Sequence, residues 1–274
     1  MKVRVGRSPD ADDAFMYYAL VKDKVNMKNV ELTHIVEDIE SLNQRSRSAE
    51  LEVTAISANA YGYVSDKYYV LSVGSSQGLG YGPILVARND VSLDEIPNKT
   101  IAIPGKLTTA NLVLKMALGD VNVVEMSFDK IIGAVAKGDV EVGLVIHEGQ
   151  ITHKQYNLTN ILDLGKWWDK ETGGQPLPLG LDVSRKDLGI EFARDFKDVL
   201  RSSIRYAFNH KEDALDYAMQ YARDVPRDIV ERFVYMYVND LTLNMGELGE
   251  RAIQTLFDRA SKQGLLPPIT LEFI

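Results

Sequence analysis

The chain carries one short plan twice, and this duplication limits the folds open to it more than any other feature. Residues 3–20 read as a β-like run from Val3 to Arg7, a Ser-Pro loop with the polar residues Asp10, Asp12 and Asp13, and an amphipathic helix from Ala14. Residues 100–118 repeat the order, with Thr100 to Ile103 as the run, Pro104-Gly105 in the loop, Thr108-Thr109 as cap residues and an apolar helix to Leu118. Polar side chains at such junctions accept from free first-turn amides and fix where each helix begins. A second echo follows. Ala49-Glu-Leu-Glu-Val-Thr-Ala-Ile-Ser-Ala58 aligns with Gly138-Asp-Val-Glu-Val-Gly-Leu-Val-Ile-His147, a small residue and an acid introducing a mostly apolar strand in both. Two similar α/β lobes are implied, although chains of this class also yield such matches by chance.

The connections set the expected boundaries. Gly82 to Asp90 reads as a strand leaving the first lobe, and Leu179 to Arg185 as a strand returning. From Glu191 onward the apolar spacing is helical, with Phe192, Phe196, Val199 and Leu200 on one face. Pro226 stands where it can start a helix. The expectation is a two-lobed α/β protein, with lobe 1 formed by residues 1–86 and 182–274 and lobe 2 by residues 87–181. Two hinge crossings and an interlobe cleft follow, and clefts between lobes are favoured small-molecule sites. At 274 residues the chain is long enough for both cores.

His147 stands at the end of the apolar run Val142 to Ile146, the kind that fills a parallel sheet. Open α/β sheets bind ligands just beyond the carboxyl ends of their strands. Imidazole is the side chain whose ordinary pKa lies closest to neutrality. His147 is therefore a candidate base, the alternative being a histidine that merely caps the strand.

Composition excludes several classes. A net charge of −8 and the absence of any basic run argue against nucleic acid. With no cysteine there is no thiolate nucleophile, disulfide or cysteine metal site. No segment approaches the length of a membrane span, and residues 1–9 lack a signal-peptide apolar stretch. A cytoplasmic chain is expected.

Other motifs are weaker. Gly78-Leu-Gly-Tyr-Gly82 has the wrong spacing and context for a dinucleotide loop, and reads as backbone turning closely past a ligand or the other lobe. His147-Glu-Gly-Gln-Ile-Thr-His153 misses the zinc-protease spacing, and no metal is expected there. Thr108, Thr109 and Ala110 begin a helix whose free amides suit a carboxylate or phosphate, with Lys106 near enough to add charge; plain capping is the equal alternative. The three acids of Asp10 to Asp13 would repel an anion, so that side should face hydroxyls or nothing. Trp167-Trp168 before a Gly/Pro-rich stretch could cover the cleft or pack beneath the loop.

Four motifs in this order, Ser8-Pro-Asp-Ala-Asp-Asp-Ala-Phe15, Pro104-Gly-Lys-Leu-Thr-Thr-Ala110, Ile146-His-Glu-Gly149 and Leu164-Gly-Lys-Trp-Trp168 with Pro176-Leu-Pro-Leu-Gly180, resemble the 1,4-dihydroxy-6-naphthoate synthase family of the futalosine route to menaquinone. The resemblance implies a fold like that of type 2 periplasmic binding proteins in a cytoplasmic enzyme. It implies a lyase acting on cyclic dehypoxanthinyl futalosine, a small-molecule carboxylate, with no cofactor. The family's base maps onto His147, its first-lobe binding turn onto Ser57, Ala58 and Asn59, and its helix start onto Thr108, Thr109 and Ala110. The first loop departs from the family's Ser-Pro-Cys-Pro-Asn-Asp. A chorismate dehydratase-type enzyme and a non-catalytic solute-binding protein are the competing readings.

Overall fold

Short runs rich in Val and Ile pair into two separate sheets. A computed structural model of the protein describes residues 1–89, 91–222 and 225–274. Along the chain lie β1 (Lys2–Arg7), β2 (Glu31–Val36), β3 (Val53–Ser57), β4 (Tyr68–Val70), β5 (Ser76–Gly78) and β6 (Ile84–Ala87). They are followed by β7 (Ile101–Ile103), β8 (Val123–Glu125), β9 (Val142–Val145), β10 (Thr159–Asp163) and β11 (Leu177–Arg185). The first sheet has the order β2-β1-β3-β11-β4, with β5 also paired to β11; the second has the order β10-β6-β9-β7-β8. Each sheet holds a parallel trio, β2-β1-β3 and β8-β7-β9, and in both an antiparallel strand lies beside the trio, β11 in the first and β6 in the second. The two halves repeat one plan, as the duplicated motifs implied.

The expected boundaries at 86/87 and 181/182 both fall inside strands. β6 pairs along its length with β9 and β10, and β11 pairs with β3, β4 and β5. A strand's ladder of backbone bonds commits it to one sheet, so sheet membership moves the crossings to residues 79–83 and 173–176. The strand expected over Gly82 to Asp90 is confined to Ile84–Ala87, and Asp90 lies outside the described residues. At the first crossing Tyr81-Gly82 runs hard against Gly165, where an added Cβ would lie 2.0 Å from the Tyr81 carbonyl carbon. Gly82 leaves room for this approach, its own added Cβ lying 3.1 Å from the Gly165 backbone.

Helix packing closes both cores. The helices Ala11–Val21, Ile190–Asn209, Lys211–Ala218 and Arg227–Tyr237 pool Phe15, Phe196, Ile204, Leu215 and Phe233 in a buried cluster of the first lobe. In the second lobe, the amphipathic helix Phe128–Lys137 buries Ile131 and Val135 against Ile84, Val86 and Val145. Each such side chain contributes roughly 1.5–3 kcal/mol of transfer free energy. Trp168 is fully buried and donates its indole N–H to the Pro176 carbonyl at 2.9 Å, so it packs beneath the loop. No helix among the described residues is long and apolar enough to cross a membrane.

Candidate active site

The carboxyl ends of the two parallel trios face one another across a cavity of about 720 Å³, part of it open to solvent. That volume suits a small organic ligand. The first lobe lines it with Ser8, Asp12 and Asp13 from the first loop and helix, Ser57 from the end of β3, and Asp182 from β11. The second lobe contributes Thr108, Thr109, Ala110, Ile146, His147 and Gln150.

His147 follows β9 with φ of +54°. This left-handed backbone is uncommon for a residue with a side chain and costs on the order of 1–2 kcal/mol. It turns the chain from the strand into the short helix Gly149–Thr152. Phe128 meets the imidazole edge-on from the same lobe, with ring centroids 4.9 Å apart and planes at 70°. From the first lobe come Phe233, at 6.4 Å, and the carboxylate of Asp10, whose Oδ2 lies 3.3 Å from Nε2. Asp10 is 1% exposed against 17% for the histidine side chain, so the acid is sealed behind a ring that a ligand can reach.

The amides of Thr109 and Ala110 stand in the first turn of the helix Thr109–Leu118, where no helical acceptor exists for them. The Thr108 hydroxyl caps this helix by accepting from the Asn111 N–H at 3.3 Å. Thr109 donates its hydroxyl to the Leu179 carbonyl at 2.6 Å, which ties the helix start to β11. Lys106 does not join the cavity; its exposed ammonium lies 3.2 Å from Glu125.

The residues expected in the first-lobe turn separate. Ser57 lines the cavity and is held on both sides by Asn43, which accepts from its N–H at 2.8 Å and donates to its Oγ at 3.0 Å. Ala58 is buried in the core. Asn59 reaches the other lobe, donating its side-chain amide to the carbonyls of Lys106 and Thr108, each at 3.2 Å, and its N–H to Thr109 Oγ1 at 3.2 Å. It is a strut behind the cavity.

The first-lobe wall is acidic and desolvated. Burial raises the Asp182 carboxyl well above its ordinary range, with the charge of Asp13 adding to the effect and the Tyr17 hydroxyl, donating at 2.6 Å, opposing it. Gly74 leaves the room: with φ of +83°, a Cβ there would lie 2.0 Å from Asp182 Oδ2. Burial, then the charges of Asp13, Asp10 and Glu148, pushes Asp12 well up. Asp13 is raised by burial too, against a 2.6 Å bond from the Ser8 N–H and the pull of the buried Arg7 guanidinium. Burial thus disfavours the charged forms of Asp12, Asp13 and Asp182, and the first-lobe wall offers a ligand polar groups with weakened negative charge. Among the described residues no group of three or more His, Asp or Glu is placed to hold a metal ion.

Residues 3–262 match the family described as menaquinone biosynthesis. The chain belongs to that family. Among its relatives, the 1,4-dihydroxy-6-naphthoate synthase of Thermus thermophilus is 40% identical, the match covering 97% of this chain and 96% of the relative. The synthase of Streptomyces coelicolor is 31% identical over 97% of this chain and 95% of its own. A solved protein of Archaeoglobus fulgidus superposes with a TM-score of 0.93 at 48% identity, covering 97% of this chain and 98% of that one. An alkanesulfonate-binding protein from Xanthomonas axonopodis pv. citri superposes with a TM-score of 0.70 at 14% identity over 97% and 94% of the two chains, a likeness of fold alone. The menaquinone-biosynthesis chain described here is thus built on the two-lobed periplasmic-binding-protein plan.

Several cavity residues of this family member carry no signal in their local sequence. Asp182 lies on the returning strand, and Phe233 and Tyr237 lie on a helix from the far end of the chain. Gln150 accepts from the Tyr237 hydroxyl at 2.9 Å, a second contact between the lobes beside His147. Asp10 to Asp13 were visible as an acidic loop, but nothing in the loop indicated that Asp10 meets the histidine.

Proposed function

We propose that this chain is a 1,4-dihydroxy-6-naphthoate synthase, a cofactor-independent carbon–carbon lyase that fragments cyclic dehypoxanthinyl futalosine with His147 as the general base. Support comes first from one observation: a solvent-reachable imidazole at the cavity lip stands in the same lobe as a helix start with unclaimed first-turn amides. The aromatic carboxylate of the substrate suits the amides of Thr109 and Ala110. Its sugar-derived hydroxyls suit the polar side chains of Ser57, Asp12 and Asp182. The names of the relatives from Thermus thermophilus and Streptomyces coelicolor agree with this chemistry.

The step balances without a co-reactant. His147 removes one proton, the carbon–carbon bond to the three-carbon fragment breaks with its electron pair leaving on the fragment, the proton is returned to that carbon, and enolisation of the remaining ring completes the second aromatic ring. A positioned base is worth about 10²–10⁴ in rate; orientation in a closed cleft, from which water is excluded, supplies the rest. The test is turnover of cyclic dehypoxanthinyl futalosine by the wild type and by His147→Asn, with chorismate as a control substrate. The proposal expects product from the first substrate only and a loss of about 10²–10⁴ in kcat in the variant. Native turnover by His147→Asn, or consumption of chorismate, contradicts it.

A further inference from the structure

Asp10 and His147 belong to different lobes and meet across the cleft. Asp10 sits between β1 and the helix Ala11–Val21, and its Oδ2 lies 3.3 Å from the imidazole Nε2. Phe233 approaches the same ring from the first lobe, while Phe128 belongs to the lobe of the histidine. Opening the cleft would withdraw Asp10 and Phe233 and leave Phe128. Three residues beyond the histidine, the bond from Tyr237 to Gln150 fastens the same turn across the cleft.

We propose that Asp10 is a positioning residue for the base and that lobe closure delivers it. The proposal rests on the reading of His147 as base. Which imidazole nitrogen carries the proton is set by the partner of the other. A carboxylate 3.3 Å from Nε2 favours the proton on that nitrogen, so that Nδ1 is the atom that takes the substrate proton. The same carboxylate offsets the positive charge that the ring gains in that step, and no proton passes to Asp10. The base is thereby directed only around an enclosed substrate. The remaining acids near this pair are Glu148, next in the chain, and Asp12, which interacts electrostatically with both Asp10 and Glu148. Neither is changed in the variants below.

The test combines kinetics with spectroscopy. Values of kcat and KM are measured against pH for the wild type, Asp10→Asn and His147→Asn on cyclic dehypoxanthinyl futalosine. Nitrogen-15 spectra are recorded on histidine-labelled wild type saturated with 1,4-dihydroxy-6-naphthoate; the chain has four histidines, and the His147 signal is assigned by its loss in the variant. Asp10→Asn is expected to lower kcat about tenfold to a hundredfold, part of what a positioned base supplies. KM should stay within about threefold, and the acidic limb of the profile should move down by about one pH unit as the ring loses its anion. The spectrum should show Nδ1 unprotonated. Full kcat with an unmoved acidic limb in Asp10→Asn, beside an inactive His147→Asn, overturns this proposal alone. Native turnover by His147→Asn overturns the base assignment and this proposal with it. If Asp10→Asn fails to fold, the wild-type spectrum decides, and a proton on Nδ1 overturns the proposal.

Discussion

The two walls of the cleft are built on the same strand–loop–helix plan and yet differ in chemistry. The second-lobe wall presents a helix start at Thr109-Ala110 and the imidazole of His147. The first-lobe wall presents Asp12, Asp13 and Asp182, desolvated and raised toward protonation. Under the proposed function one unit binds the substrate carboxylate and moves a proton, while the other holds polar groups in a desolvated surface. The loop after the first strand makes the difference. It places acids where its counterpart in the other lobe places Gly105, Thr108 and Thr109. Duplication thus supplies a cleft whose two faces can diverge while bonds between the lobes, such as that from Asn59 to Thr108, keep them opposed.

The sharpest way to break this comparison is at His147. His147→Asn should lose about 10²–10⁴ in kcat while its thermal unfolding changes little, because the side chain is partly exposed. Parallel kinetics and calorimetry check both halves of that statement.

Next in size is a pH effect on stability confined to the first-lobe wall. Burial raises the Asp182 carboxyl well above its ordinary value of 3.8, so the folded protein holds this proton more tightly than the unfolded chain does. The resulting stability is complete below pH 3.8 and is lost as pH climbs through the raised folded value. The slope is at most about 1.4 kcal/mol per pH unit for one group. Asp182→Asn keeps an acceptor for the Tyr17 hydroxyl but cannot ionise, so it should flatten this slope and raise stability at pH 8 relative to the wild type. Denaturant titrations at pH 5 and pH 8 measure it; identical slopes for the two proteins would count against the desolvated wall.

Smaller effects test the second-lobe wall and the closure. Thr108→Ala removes the cap on the helix Thr109–Leu118 and should cost about 1 kcal/mol in unfolding free energy. Its KM should rise modestly as the first turn frays. Tyr237→Phe deletes the bond to Gln150 across the cleft, worth about 0.5–1.5 kcal/mol. A few-fold rise in KM with little change in the unfolding midpoint would mark it as a closure contact.

What could be read from the sequence follows from where the information lies. The strand ending at His147 and the cap at Thr108 are local patterns, and both stand beside the cavity. The duplicated segments hold two strands of each parallel trio, β1 with β3 and β7 with β9. The expected lobe boundaries cut through strands because an apolar run states that a strand is buried and not which sheet it joins, as with Ile84–Ala87. Ala58 and Asn59 adjoin Ser57 in sequence, whereas the short helix after β3 turns Ala58 into the core and Asn59 toward Lys106 and Thr108 of the other lobe. Asp182, Phe233 and Tyr237 reach the cavity through long-range packing that no local spacing encodes.

A crystal structure of His147→Asn soaked with cyclic dehypoxanthinyl futalosine tests the central claim most directly. The account predicts the substrate carboxylate at the amides of Thr109 and Ala110, its hydroxyl-bearing end against Asp12 and Asp182, and the reacting carbon within hydrogen-bond distance of the position 147 side chain. A carboxylate seated elsewhere, or a reacting carbon out of reach of residue 147, would contradict it.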